Sequence, residues 1–186
     1  ARGGDADDVS VLIEQANKAG EHGLPQDPIV NKIKEGLAKG VDPKRIESVV
    51  RDLVGRLEHA SDLVRQLGEG GLVELSSSNR ARAVEAFGDA LSRGVSSEEA
   101  TELGRLAQGG KQKPTPEILS SGAKGFALIK DAGVASTDAL SLVGEAVRQG
   151  YRSGEVLDLA REMKRRGADI QDGRVSVQAV KEAVSR

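Results

Sequence analysis

Apolar residues recur along this chain at helical spacing, and one pattern returns three times. Ile29 to Val41 reads IVNKIKEGLAKGV, Ala83 to Val95 reads AVEAFGDALSRGV, and Ala139 to Tyr151 reads ALSLVGEAVRQGY. Val30, Val84 and Leu140 occupy one matched position, and Ile33, Phe87 and Val143 the next. Leu37, Leu91 and Val147 follow, and Gly40, Gly94 and Gly150 close each segment. Apolar positions at i, i+1, i+4 and i+8 lie on one face of a helix. A glycine after the last turn suits the left-handed conformation that ends many helices. The pattern predicts three helices with their terminators at Gly40, Gly94 and Gly150.

The agreement continues beyond each glycine. Val41-Asp42-Pro43, Val95-Ser96-Ser97 and Tyr151-Arg152-Ser153 are short links into a second helix. Asp42 and Ser96 suit the N-cap, and Pro43 suits the first helical position. The second helices align Ile46, Ala100 and Val156, then Val49, Leu103 and Leu159, then Leu53, Ala107 and Met163. Each unit therefore contains an antiparallel αα-hairpin. A third helix is expected before each hairpin, over Val9–Ala19 in the first copy and Pro116–Asp131 in the third. The middle copy departs from this: Asp62–Leu67 leads into Gly70-Gly71-Leu72 and extra residues follow before Ser78, which reads as a lengthened connection.

The predicted fold is all-α: a multi-helix bundle or a short α-superhelix of three repeats of about 55 residues. A single domain is expected over 1–186, with repeats at 8–58, 60–109 and 115–167. A C-terminal capping helix falls in 168–186, its core at Val175–Val184. Gly109-Gly110-Lys111-Gln112-Lys113-Pro114 reads as an exposed linker, so Gly110 is expected to tolerate a side chain. Small residues at Gly36, Ala90 and Ala146 mark expected helix crossings.

Composition narrows function mainly by exclusion. Leu, Ile, Val and Phe make up 46 of 186 residues, enough for a core. The two Phe, one Tyr and absent Trp leave small aliphatic side chains to build it. No cysteine is present, which removes disulfides, thiolate metal sites and thiol nucleophiles. The net charge is −2, against the basic excess usual in nucleic-acid binders. The strongest basic run, Arg148 to Arg166, sets Arg148, Arg152, Arg161, Lys164, Arg165 and Arg166 against Glu155, Asp158 and Glu162, as a solvated helix does. No apolar run is long enough to cross a bilayer.

No catalytic, cofactor-binding or metal-binding residue stands out. His22 and His59 are unmatched, and neither has a second His at metal-ligand spacing. Ser76-Ser77-Ser78 and Ser120-Ser121 sit where hydroxyls cap helices or shape turns. The Gly68-Glu69-Gly70-Gly71 stretch lacks the Lys-Ser/Thr of a phosphate loop. One charged feature does recur: Glu35, Asp89 and Glu145 are matched, with Lys39, Arg93 and Gln149 four residues on. Spacing of this kind supports a helix by a few tenths of a kcal/mol, roughly. The same three acids are the candidate interaction surface, should they line a concave face.

The stretch from Gly23-Leu24-Pro25 through Lys34-Glu35-Gly36-Leu37-Ala38-Lys39-Gly40-Val41-Asp42-Pro43-Lys44-Arg45-Ile46 resembles a motif of exported bacterial all-α proteins, GxPxxxxxxKxxEGLAKGVxPxRI. The resemblance spans roughly the first third of the chain and implies a cleaved signal peptide and a Gram-negative envelope location. It brings no catalytic residues. Ser97 and Ser153 stand where Pro43 does, so the later copies depart from it. The start at Ala1, Ala-Arg-Gly-Gly-Asp, is expected to be either a polar mature N-terminus after export or a trimmed end. A cytoplasmic location is the alternative.

The leading expectation is thus a non-enzymatic helical-repeat interaction or scaffold protein of the bacterial envelope, with another protein as partner and no cofactor. A nucleic-acid-associated module with helix-turn-helix-like joints comes second. An enzyme using the matched carboxylates comes third.

Overall fold

The structure is a computed structural model and describes residues 3–73, 76–111 and 114–186. Among these residues all regular structure is helical, covering 78%. In chain order the helices are α1 (Gly3–Glu21), α2 (Gln26–Ala38), α3 (Pro43–Glu69), α4 (Ser77–Ser92) and α5 (Ser97–Ala107). They continue with α6 (Pro116–Asp131), α7 (Ser136–Arg148), α8 (Ser153–Arg165), α9 (Gly167–Gln171) and α10 (Val177–Val184).

The ends of these helices follow from local chemistry. Gly40, Gly94 and Gly150 have φ of 65°, 82° and 87°, a region where a Cβ is penalised. Behind each glycine the chain closes in the same way. The N–H groups of Val41, Val95 and Tyr151 donate to the carbonyls of Gly36, Ala90 and Ala146 at 3.0, 3.2 and 3.0 Å. Those of Gly40, Gly94 and Gly150 donate to Leu37, Leu91 and Val147 at 3.0 Å each. This double closure satisfies carbonyls that a helix end leaves open.

The restarts use caps. The Asp42 carboxylate accepts the Lys44 N–H at 2.9 Å ahead of Pro43. Ser96 and Glu99 form a reciprocal box: the Glu99 N–H donates to Ser96 Oγ at 3.1 Å, and the Ser96 N–H to Glu99 Oε2 at 2.9 Å. At α8 the Arg152 N–H donates to Glu155 Oε2 at 2.6 Å.

Two compact units are present, Ala1–Asp62 and Leu63–Arg186, where the sequence reading places one domain over 1–186. In the first, α1 packs on α2. Leu12, Ala16, Ala19, Leu24, Ile29, Ile33, Ile46 and Val50 are buried there. In the second, α6 is the central helix, packed against α4, α5, α7 and α8. Leu119, Ala123, Phe126, Ala127 and Ile129 of α6 are buried. Gly125 lets α8 come close, since a Cβ there would lie 3.3 Å from the Ala160 methyl. α10 packs on α7, and the short α9 follows α8.

Three expectations need correction. No separate third helix precedes the middle hairpin over Asp62–Leu67: those residues continue α3 without a break. The expected repeat boundary between 58 and 60 therefore falls inside a helix. The run RLEHASDLVRQL holds no glycine or proline, so nothing local stops the helix before Gly68, and it ends at Glu69 ahead of Gly70 and Gly71. Gly110 is not an open linker position either: a Cβ there would lie 2.5 Å from the Arg148 carbonyl oxygen. The neighbouring Lys111 N–H donates to that same oxygen at 2.8 Å. Gln112 and Lys113 of the linker and the N-terminal Ala1 lie outside the described residues. Val9–Ala19 lies within the longer α1, and the segment 168–186, expected as one helix, holds most of α9 and all of α10.

Candidate functional site

The three matched acids sit on α2, α4 and α7, each one turn and a half before the glycine that ends its helix region. All three meet their i+4 neighbour. Lys39 Nζ lies 2.5 Å from Glu35, Arg93 Nε 3.4 Å from Asp89, and Gln149 Nε2 2.6 Å from Glu145. Beyond that shared pair their surroundings diverge.

Glu35 is half-exposed and bonded by a second cation, Lys32, at 3.0 Å. Hydrogen bonds from Lys39 and Lys32, reinforced by their charges, hold its carboxyl at a pKa of about 2. Asp89 faces Lys124 of α6 at 3.8 Å. Glu145 is 7% exposed. Arg148 Nη2 donates to it at 2.8 Å and Ser185 Oγ at 3.0 Å. Burial pushes the Glu145 carboxyl up, but the hydrogen bonds from Gln149, Ser185 and Arg148 outweigh that and leave it below the usual range. Asp89 and Glu145 belong to the second unit and Glu35 to the first. Each acid has its own set of partners.

The first unit carries a feature the sequence reading did not single out. Lys32, Glu35, Gly36 and Lys39 of α2, with Val41, Arg45, Ile46 and Val49, line an open groove of about 330 Å³. Its floor exists because Gly36 has no side chain: a Cβ there would lie 2.7 Å from Ile46 Cγ1, so the arms of the hairpin close tightly. Its wall keeps apolar surface in water, with Val49 38% exposed. Its rim is basic, three cations against one carboxylate that two of them already hold. The signal for it was present in the alignment, where Arg45 stands opposite Glu99 and Glu155, and Lys32 opposite Ala86 and Leu142.

The remaining candidates are structural. Ser120 is buried and donates to the Pro116 carbonyl one turn back. The Ser76 N–H is accepted by Asn79 Oδ1 at 3.0 Å; the side chains of Ser77 and Ser78 lie outside the described residues. His22 lies in the turn after α1 and His59 on the exposed side of α3. Among the described residues no three acidic or histidine side chains gather in a way that could hold a metal ion. The basic stretch is internally paired: Arg161 meets Asp158 at 2.7 Å, and Arg165 and Arg166 both engage Glu162. No described helix is long and apolar enough to cross a membrane.

No protein-family model, curated protein or solved structure matches the chain.

Proposed function

We propose that the chain is a non-enzymatic helical-repeat interaction module of the bacterial cell envelope, built from three copies of a unit of about 55 residues. The repeat is supported by sequence positions 54 and 56 residues apart doing the same local work. A left-handed glycine, the carbonyl it closes on and an acid bonded to its i+4 neighbour recur in all three hairpins. The interaction role rests on one observation: the α2–α3 hairpin presents a tight-floored, basic-rimmed groove with apolar surface in water. Apolar surface bordered by charge is the arrangement of a contact site, an apolar centre within a polar rim. The envelope location rests on the resemblance of the Gly23 to Ile46 stretch.

A photo-crosslinking amino acid placed at Val49 tests the role in cells, with the same substitution at exposed Asp158 on α8 as reference. A discrete cross-linked protein from position 49 alone, recovered in the envelope fraction, is the expected result. Equal or absent cross-linking at the two positions would refute the interaction role. Recovery only from the cytosol would refute the location. Duplex DNA at physiological salt should bind no better than nonspecifically; a tight, sequence-selective complex would replace the proposal with the helix-turn-helix alternative.

A further inference from the structure

The α2–α3 groove differs from its counterparts in what covers it. On the α4–α5 hairpin the matched face is occupied by α6. Lys124 reaches Asp89, the counterpart of Glu35, at 3.8 Å. Lys130 reaches Glu99, the counterpart of Arg45, at 3.0 Å, and the carbonyl of Gly94, the counterpart of Gly40, at 3.1 Å. Leu103, the counterpart of Val49, is 1% exposed and packs where Gly122 of α6 has no side chain. On the α7–α8 hairpin α10 packs along α7, over the counterpart of Glu35. Lys181 donates to Ser141 at 2.5 Å and Ser185 to Glu145 at 3.0 Å.

After α4–α5 the covering helix is the next one along the chain, and after α7–α8 it is α10, with the short α9 between. For the first hairpin the covering helix would be residues 62–67, but these continue α3 in line. A continuous α-helix of this length cannot turn back over its own first half. The groove is therefore left uncovered by the segment that register assigns to it.

Its charge differs as well. α6 brings two lysines to a hairpin whose facing groups are Asp89 and Glu99. On the first hairpin the position of Glu99 is taken by Arg45, and that of Ala86 by Lys32. Glu35 is already held by Lys32 and Lys39. A lysine-bearing helix like α6 would meet like charge here, which costs affinity and specificity.

We infer that the α2–α3 groove binds an amphipathic helix of a partner protein whose apolar stripe is flanked by carboxylates. This rests on the interaction role proposed above and names the chemistry of the partner. The carboxylates take the place that Lys124 and Lys130 hold in the second unit, facing Lys32, Lys39 and Arg45. The apolar stripe covers Val49 and Val41 beside the floor where buried Ile46 closes against Gly36. Helix-in-groove binding of this type draws affinity from the apolar anchors and partner choice from the flanks.

The test uses the full chain and three fluorescent peptides of about 12 to 15 residues, long enough for a few helical turns. Two share one Leu/Ala stripe and differ only in carrying Glu or Lys on the flanks; the third is the chain's own segment 175–186. Fluorescence anisotropy should show the Glu peptide binding at least about tenfold more tightly than the Lys peptide. Lys32→Glu with Arg45→Glu should invert that preference, and Val49→Asp should weaken both peptides. All three substituted positions are at least partly exposed, and circular dichroism verifies that each variant is folded.

Equal binding of the Glu and Lys peptides, a preference untouched by charge reversal, or no binding would overturn the inference. So would tighter binding of the 175–186 peptide, which makes a second copy the occupant. Binding to phosphatidylglycerol vesicles in preference to every peptide would overturn it in favour of a membrane. If selectivity is lost while cross-linking from Val49 persists, the acidic-helix inference fails and the interaction role stands; loss of both removes both.

Discussion

Adding one methyl group should have opposite effects at Gly40 and Gly55. Both glycines belong to the unit Ala1–Asp62, and a Cβ built on either meets nothing within 4 Å. Packing is therefore the same at the two sites, and only the backbone differs. Gly55 lies inside α3, where Ala is favoured over Gly by about 0.8–1 kcal/mol. Gly40 has φ of 65°, where an L residue costs roughly 1–2 kcal/mol. Restricting the unfolded chain returns about 0.4–1 kcal/mol of that. Gly55→Ala should thus stabilise by about 1 kcal/mol and Gly40→Ala destabilise by about 0.5–1 kcal/mol. In a unit of this size 1 kcal/mol corresponds to roughly 4–8 °C in Tm. The two variants should therefore melt several degrees apart, on either side of the wild type. Thermal melts by circular dichroism read this directly, and Gly40→Asn should recover part of the loss, because Asn tolerates the left-handed region. If both variants shift Tm in the same direction by the same amount, the left-handed termination of α2 is wrong, and with it the hairpin built on it. Gly110 cannot serve as a neutral reference, because its Cβ would strike the Arg148 backbone.

Three further outcomes follow from named contacts. At Gly36 a Cβ would lie 2.7 Å from Ile46 Cγ1; Gly36→Ala should destabilise by about 1–3 kcal/mol, and adding Ile46→Val should recover part of it, as a double-mutant denaturation cycle would reveal. Glu99 feels burial that raises its carboxyl, outweighed by the Ser96 N–H, Lys130 and Ser136, so its folded pKa lies below the ordinary value. Its contribution is therefore present above the ordinary carboxylate range and lost as pH falls through the folded value. Glu99→Gln should cost about 1 kcal/mol at neutral pH, with the gap to wild type closing in acid denaturation series. The Glu35 carboxyl should titrate near a pKa of about 2 in carbon-detected NMR, and Lys39→Ala or added salt should move it upward, since the pair is exposed.

Helix ends were legible in the residues because they depend on groups within about five positions of one another. The apolar stripe followed by Gly40, Gly94 or Gly150 specifies where α2, α4 and α7 stop, and the left-handed φ needs no distant contact to explain it. The same holds for the Ser96–Glu99 box and for the i+4 partners of Glu35, Asp89 and Glu145. The limits of α6, Pro116–Asp131, were legible for the same reason.

Burial is a different matter, because it depends on which distant helix lands on a face. Glu35 and Glu145 share their local spacing, yet one is half-exposed between two lysines and the other lies beneath α10. Val49 and Leu103 occupy one register position, yet only Leu103 has α6 over it. Gly110 reads as a free linker residue until the Arg148 carbonyl, 38 positions away, is brought against it. The continuity of α3 decides the candidate site: uninterrupted helix formers keep residues 62–67 in line, so the first hairpin has no covering helix from that segment. Short-range torsional and capping energies act along the chain, whereas desolvation and charge pairing are settled by neighbours that only the packed structure supplies.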